Sequence, residues 1–157
     1  MSFFITTPIY YVNDVPHIGH AYTTIACDIF SRFNKLKNED TFFLTGTDEH
    51  GQKVEKAALA QNKDTQIFVD EMSNNFRELV PYLGCDNDDF IRTTDKKHKS
   101  AAQFLWNKLK SNNQIYLSNY EGWYSIRDEA FYQESELIKT ENEFIAPSGS
   151  TVEWVKE

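Results

Sequence analysis

Phe3-Phe4-Ile5-Thr6-Thr7, then a turn-rich stretch over residues 8–16, then His17-Ile18-Gly19-His20, is the run of sequence that decides the fold. The first five residues are aromatic and β-branched, which predicts a short strand. Downstream, Ile18, Ala21, Tyr22, Ile25, Ala26, Ile29, Phe30, Phe33 and Leu36 recur at helical spacing and predict a long helix. Pro16 fits the first turn of that helix, where its missing N–H does no harm. His17 and His20 then lie one turn apart at the helix start. Free backbone N–H groups and the positive end of the helix dipole make that start a natural place to meet phosphate.

Working outward, Thr41-Phe42-Phe43-Leu44-Thr45 reads as a second, buried strand that ends at the polar loop Gly46-Thr47-Asp48-Glu49-His50-Gly51. Strand, helix, strand in this order predicts a parallel βαβ unit with a right-handed crossover. Ligands bind beyond the carboxyl ends of such strands, and both polar loops emerge there. A helix is expected from near Gln52, through Val54, Ala57, Ala58 and Leu59. Another has Asp64 as N-cap, an apolar face of Phe68, Met72, Phe76, Leu79 and Leu83, and Gly84 as its stop. Residues 89–93 read as a short strand, and residues 95–112 as a helix burying Ala101, Phe104, Leu105 and Leu109. After Asn113 the character changes. Ile115-Tyr116-Leu117, residues 121–126 and Ala130-Phe131-Tyr132 read as short antiparallel strands, and residues 151–157 as an alternating strand without a cap, so the tail reads as interrupted.

Composition narrows the class. Hydrophobic residues at 40% are enough for a core, and aromatics at 15% require large side chains to be buried. With 16 basic and 24 acidic residues the net charge is −8, which argues against stable nucleic-acid binding by this chain. Lys96, Lys97, Lys99, Lys108 and Lys110 read as a solvated helix face. Cys27 and Cys85 form neither a disulfide framework nor a CxxC pair. Without a signal peptide or a membrane-length apolar run, the expected setting is the reducing cytoplasm, away from membranes.

The site chemistry is open at this level. Imidazole N–H donors fixed on a helix can meet negative charge that builds on phosphoryl oxygens. Two histidines at i and i+3, with Asp48 and His50, also offer zinc ligands, though without a thiolate. Asp48 is either a turn or N-cap residue or the counter-charge to a substrate ammonium. Glu49 and His50 read equally well as turn residues. Tyr10 and Tyr11 are consecutive in an extended segment, so one faces the core and the other lines the crevice.

Three blocks then point to a family. Residues 3–13, Pro16-His17-Ile18-Gly19-His20-Ala21-Tyr22, and residues 42–51 together closely resemble bacterial methionyl-tRNA synthetases of class I, with weaker similarity over residues 90–94 and 120–124. The resemblance implies an α/β fold: residues 1–113 as the N-terminal half of a Rossmann-like parallel-sheet nucleotide-binding domain, and residues 114–157 as the start of an α+β connective insertion. It implies activation of methionine by ATP with Mg²⁺ to methionyl-adenylate, then transfer to tRNA. By the same resemblance, His17 and His20 are catalytic and bind ATP, Gly19 lies where adenine packs against the backbone, and Ile9, Tyr11 and Asp48 bind methionine.

Two departures matter. Many relatives carry a zinc knuckle where this chain has Ser125 and Asp128, so no zinc is expected, and Trp123, Tyr124, Phe131 and Tyr132 are expected to hold the insertion by packing. The family's second signature loop, of Lys-Met-Ser-Lys-Ser type, is absent from the sequence. The 157-residue polypeptide alone is therefore expected to be inactive. The rival readings are a related small-substrate nucleotidyltransferase and a non-catalytic nucleotide- or partner-binding fragment.

Overall fold

The segment that opens the chain folds as β1 (Ser2–Thr6), β2 (Tyr10–Tyr11) and α1 (Ile18–Leu36), followed by β3 (Asp40–Asp48), α2 (Gln52–Ala60), α3 (Thr65–Tyr82), β4 (Asp89–Arg92) and α4 (Lys96–Ser111). The computed structural model describes residues 2–140 and 143–157. Two compact units divide the chain, Met1–Leu105 and Trp106–Glu157. Among the described residues no helix is long and apolar enough to cross a membrane.

The first unit is α/β. Its sheet is wholly parallel, with β3 paired to β1, β2 and β4. β3 is longer than the predicted strand and continues through Gly46 and Thr47 to Asp48. It does so because partners flank it there: Thr47 pairs with Tyr10 on one side and Arg92 on the other. Gly46 lets β4 come close, since a Cβ at that position would stand 2.0 Å from the Ile91 carbonyl oxygen.

Tyr10, Val12, Val54, Ala58, Phe68, Val69, Phe76 and Phe90 form one buried cluster. The helix α3 supplies its predicted face, with Phe68 and Phe76 fully buried and Met72 packed against the cluster. Asp64 is its N-cap, accepting from the N–H groups of Gln66 and Ile67.

The helix α1 is inverted relative to that pattern. Its buried residues are Thr24, Asp28, Ser31 and Asn34, while Ile18, Tyr22, Ile29, Phe33 and Leu36 are exposed. The buried side is polar but mostly hydrogen-bonded. The Thr24 hydroxyl meets the Tyr10 hydroxyl at 2.7 Å, and Asp28 accepts from the Asp86 N–H at 2.9 Å and from Arg32 Nε at 2.6 Å. Pro16 also differs from expectation. It precedes the N-cap, because His17 takes the capping role and the first helical residue is Ile18.

In α4 no residue is buried, so the expected burial of Ala101, Phe104, Leu105 and Leu109 does not occur; Phe104 and Leu105 are exposed. Residues 115–117 form no ladder, and Leu117 is fully exposed.

The second unit is antiparallel. β5 (Glu121–Ser125) lies between β6 (Ala130–Tyr132) and β9 (Glu153–Lys156), and β7 (Ile138–Lys139) pairs with β8 (Phe144–Ile145). Its aromatic side chains pack on one another. Ring centroids lie 4.8 Å apart for Tyr124–Phe131, 5.1 Å for Trp123–Phe144 and 5.4 Å for Trp123–Trp154.

Candidate functional site

The start of α1 is closed by its own histidines. His17 has extended backbone geometry, and its Nδ1 accepts from the Gly19 N–H at 3.1 Å. His20 reaches back, its Nδ1 accepting from the His17 N–H at 3.0 Å. This is a reciprocal capping box in which imidazoles replace the usual hydroxyl and carboxylate. With both Nδ1 lone pairs engaged as acceptors, each neutral ring carries its proton on Nε2. The rings lie 3.8 Å apart, so two N–H donors sit side by side at the positive end of a helix of 19 residues.

The supports of these rings are specific. His20 stands edge-on to Tyr10 at 4.8 Å and to Phe76 at 5.0 Å. The Tyr10 hydroxyl also donates to the His20 carbonyl at 3.2 Å and meets the Thr23 hydroxyl at 2.8 Å. Burial, and then the neighbouring His17, push the His20 pKa below its ordinary value of 6.5. His20 is thus held as the neutral donor. Gly19 leaves room for the cap, since a Cβ there would stand 2.9 Å from His17 Cε1 and push the capping ring aside.

Asp48 ends β3 and is half-buried, with Tyr11 as its register partner across the parallel ladder. Ile9 is exposed in the loop between β1 and β2. The structure therefore joins His17, Gly19 and His20 in one group and Tyr11 and Asp48 in another. The Tyr10-Tyr11 dipeptide bridges them: Tyr10 is buried against His20, and half-buried Tyr11 lies beside Asp48.

Glu49 is not a turn residue. It is 3% exposed, and its carboxylate receives Arg92 Nε at 2.7 Å, Arg92 Nη2 at 2.9 Å, the Thr47 hydroxyl at 2.7 Å and the Thr94 hydroxyl. Burial alone would raise the Glu49 pKa, but the donors from Arg92, Thr94 and Thr47, with the Arg92 charge, hold it below the ordinary carboxylate value. The sequence signal for this was faint: Thr45 and Thr47 alternate along β3, and Glu49, just past its end, continues that alternation. His50 Nε2 lies 3.3 Å from the Thr93 carbonyl oxygen. Among the described residues no three His, Cys, Asp or Glu side chains converge on a metal-sized site.

In the second unit, Ser125 and Asp128 belong to a hydrogen-bonded cluster. The Asp128 carboxylate accepts from the hydroxyls of Ser148, Ser150 and Tyr132, and its N–H donates to the Ser125 hydroxyl at 3.2 Å. The Ser148 and Ser150 hydroxyls foremost, then those of Tyr132 and Ser125, pull the Asp128 pKa down to about 2.

Comparison with known proteins is consistent along the chain. The family described as tRNA synthetases class I (M) matches residues 3–143. A methionine–tRNA ligase of Rickettsia prowazekii (strain Madrid E) is 58% identical over 99% of this chain, and one of Thermotoga maritima is 49% identical over 100% of it. The matched regions span 30% and 25% of those two relatives, so this chain corresponds to less than a third of their length. Among solved structures, Mycobacterium tuberculosis methionyl-tRNA synthetase bound by methionyl-adenylate superposes with a TM-score of 0.92 at 42% identity, covering 100% of this chain and 31% of that one.

Proposed function

The chain belongs to the tRNA synthetases class I (M) family, and from that premise we propose that it supplies the first half of a methionine–tRNA ligase active site. In this reading, residues 1–113 are the first half of the Rossmann-like catalytic domain and residues 114–157 are part of the connective insertion. The methionine carboxylate oxygen bonds to the α-phosphorus of ATP, which enters as its Mg²⁺ complex. The bond from that phosphorus to the bridging oxygen breaks, and pyrophosphate leaves. The 3′-terminal tRNA hydroxyl then attacks the adenylate carbonyl, the bond from that carbon to the phosphate oxygen breaks, and AMP leaves as the hydroxyl proton passes to a phosphate oxygen.

Each residue has a role that suits its setting. The Nε2–H groups of His17 and His20 donate to the phosphoryl oxygens as charge builds on them. Asp48 pairs with the methionine ammonium, which cannot be buried unpaired. Ile9 and Tyr11 line the side-chain pocket, and adenine lies against the backbone at Gly19. The insertion closes without zinc, its knuckle replaced by the hydroxyls gathered on Asp128. The setting proposed is the cytoplasm.

The reciprocal histidine cap is the observation that carries this reading, because it presents two fixed Nε2–H donors at an anion-favouring helix start. The test is ATP–pyrophosphate exchange with methionine. A chimera in which this chain replaces the matching N-terminal segment of the Rickettsia prowazekii ligase is expected to catalyse exchange, whereas the 157-residue polypeptide alone is not. His17→Asn keeps a helix-capping oxygen but loses the Nε2 donor, so kcat should fall about 10²- to 10³-fold. Exchange should also decline as acid protonates His20, since the imidazolium has no lone pair left for the His17 N–H. A chimera that hydrolyses ATP regardless of methionine would defeat the proposal.

A further inference from the structure

Asp48 is useful only if its carboxylate is aimed, and strand alternation leaves its neighbours pointing the other way. The Thr47 hydroxyl meets the Ser73 hydroxyl of α3 at 2.9 Å and donates to Glu49 at 2.7 Å. The main chain on either side of Asp48 is fastened as well. The Thr47 carbonyl accepts from the Thr93 N–H at 3.2 Å, and the Glu49 N–H donates to the Thr93 hydroxyl at 2.9 Å. The Arg92 fork closes on the same Glu49 carboxylate that receives the Thr94 hydroxyl, and a second carboxylate, Asp70 of α3, receives Arg92 Nη2. The pair spans 43 residues of sequence and ties the end of β3 to the end of β4. A buried pair with its acceptors filled rigidifies a site, whereas removing one partner strands the other.

We infer that Glu49 and Arg92 are positioning residues for methionine: their ion pair locks the backbone around Asp48, so that its carboxylate meets the substrate ammonium without reorganising. The inference rests on the role proposed for Asp48. Neither residue is a catalytic residue, since neither is required to touch the substrate.

Two measurements decide it. In the 157-residue polypeptide, Glu49→Gln and Arg92→Lys should speed amide hydrogen exchange at residues 48–51 by about tenfold or more, with the α3 amides over residues 68–76 unchanged. Arg92→Lys keeps the charge but loses the two-pronged geometry, so it tests the fork apart from the charge. Unchanged exchange at residues 48–51 in a folded Arg92→Lys protein would overturn the inference, whatever the fate of Glu49→Gln. In the chimera, both substitutions should raise KM for methionine by about tenfold and leave KM for ATP within about twofold. Equal rises in both constants would overturn it too. Absence of exchange in the unsubstituted chimera would instead strike the proposed function, leaving the amide measurement to decide the positioning role.

Discussion

The helices α1 and α3 both touch Tyr10, yet they turn opposite kinds of surface inward. α3 buries Phe68, Val69, Phe76 and Val80, the arrangement that apolar periodicity is normally taken to mean. α1 carries an equally regular apolar stripe and presents it to solvent, burying Thr24, Asp28, Ser31 and Asn34 instead. Periodicity thus identifies a helix and its two sides, but not which side faces the sheet. In α1 the inward side is set by hydrogen-bond partners. The Tyr10 hydroxyl needs Thr23 and Thr24, and the turn at Asp86 needs the Asp28 carboxylate.

Truncation of α3 should have the largest effect. Phe68→Ala should destabilise the first unit by about 3–5 kcal/mol, read by urea unfolding, because the ring is fully buried. A value near zero would erase the contrast between the helices. Asp28→Ala should come next, at about 1–3 kcal/mol, since it leaves the Asp86 N–H without its acceptor. At the bottom of the scale, Ile29→Ser and Phe33→Ser on the outer side of α1 should each fall within about 0.5 kcal/mol of the parent protein. A large loss from either would mean that α1 buries its apolar side after all.

A polar cluster in the second unit, in which Ser125 and Ser150 are buried and Asp128 is partly exposed, sharpens the same lesson. The Asp128 carboxyl lies at about 2 when folded, against an ordinary value of 3.8, so its stabilising contribution is complete above the ordinary value and lost as pH falls toward the folded one. Tyrosine and tryptophan fluorescence should therefore report loosening of the second unit between these values. Ser148→Ala and Ser150→Ala should shift that transition upward in pH.

Much of the architecture was legible. The βαβ order, the Asp64 cap, the α3 face and the division between buried Tyr10 and half-buried Tyr11 follow from residue type and spacing. What stayed hidden depends on partners distant in sequence. The end of β3 was placed too early because its pairing with β2 and β4 cannot be seen locally. Glu49 looked like a loop residue because Arg92 lies on another strand. The supposed strand at residues 115–117 had the right residue types but found no neighbour. The place of His17 and His20 at a helix start was legible in the sequence, whereas their mutual capping, and hence which ring nitrogen holds the proton, required geometry.

Gly46 bears on how this sequence can vary. Every amino acid that a single nucleotide change can substitute for glycine brings a Cβ, and here that atom would fall 2.0 Å from the oxygen of Ile91. No flexible side chain can swing aside to make room, because the obstacle is main chain. A saturation library should therefore find this codon among the least permissive in the chain, and drift along the central strand has to proceed around it.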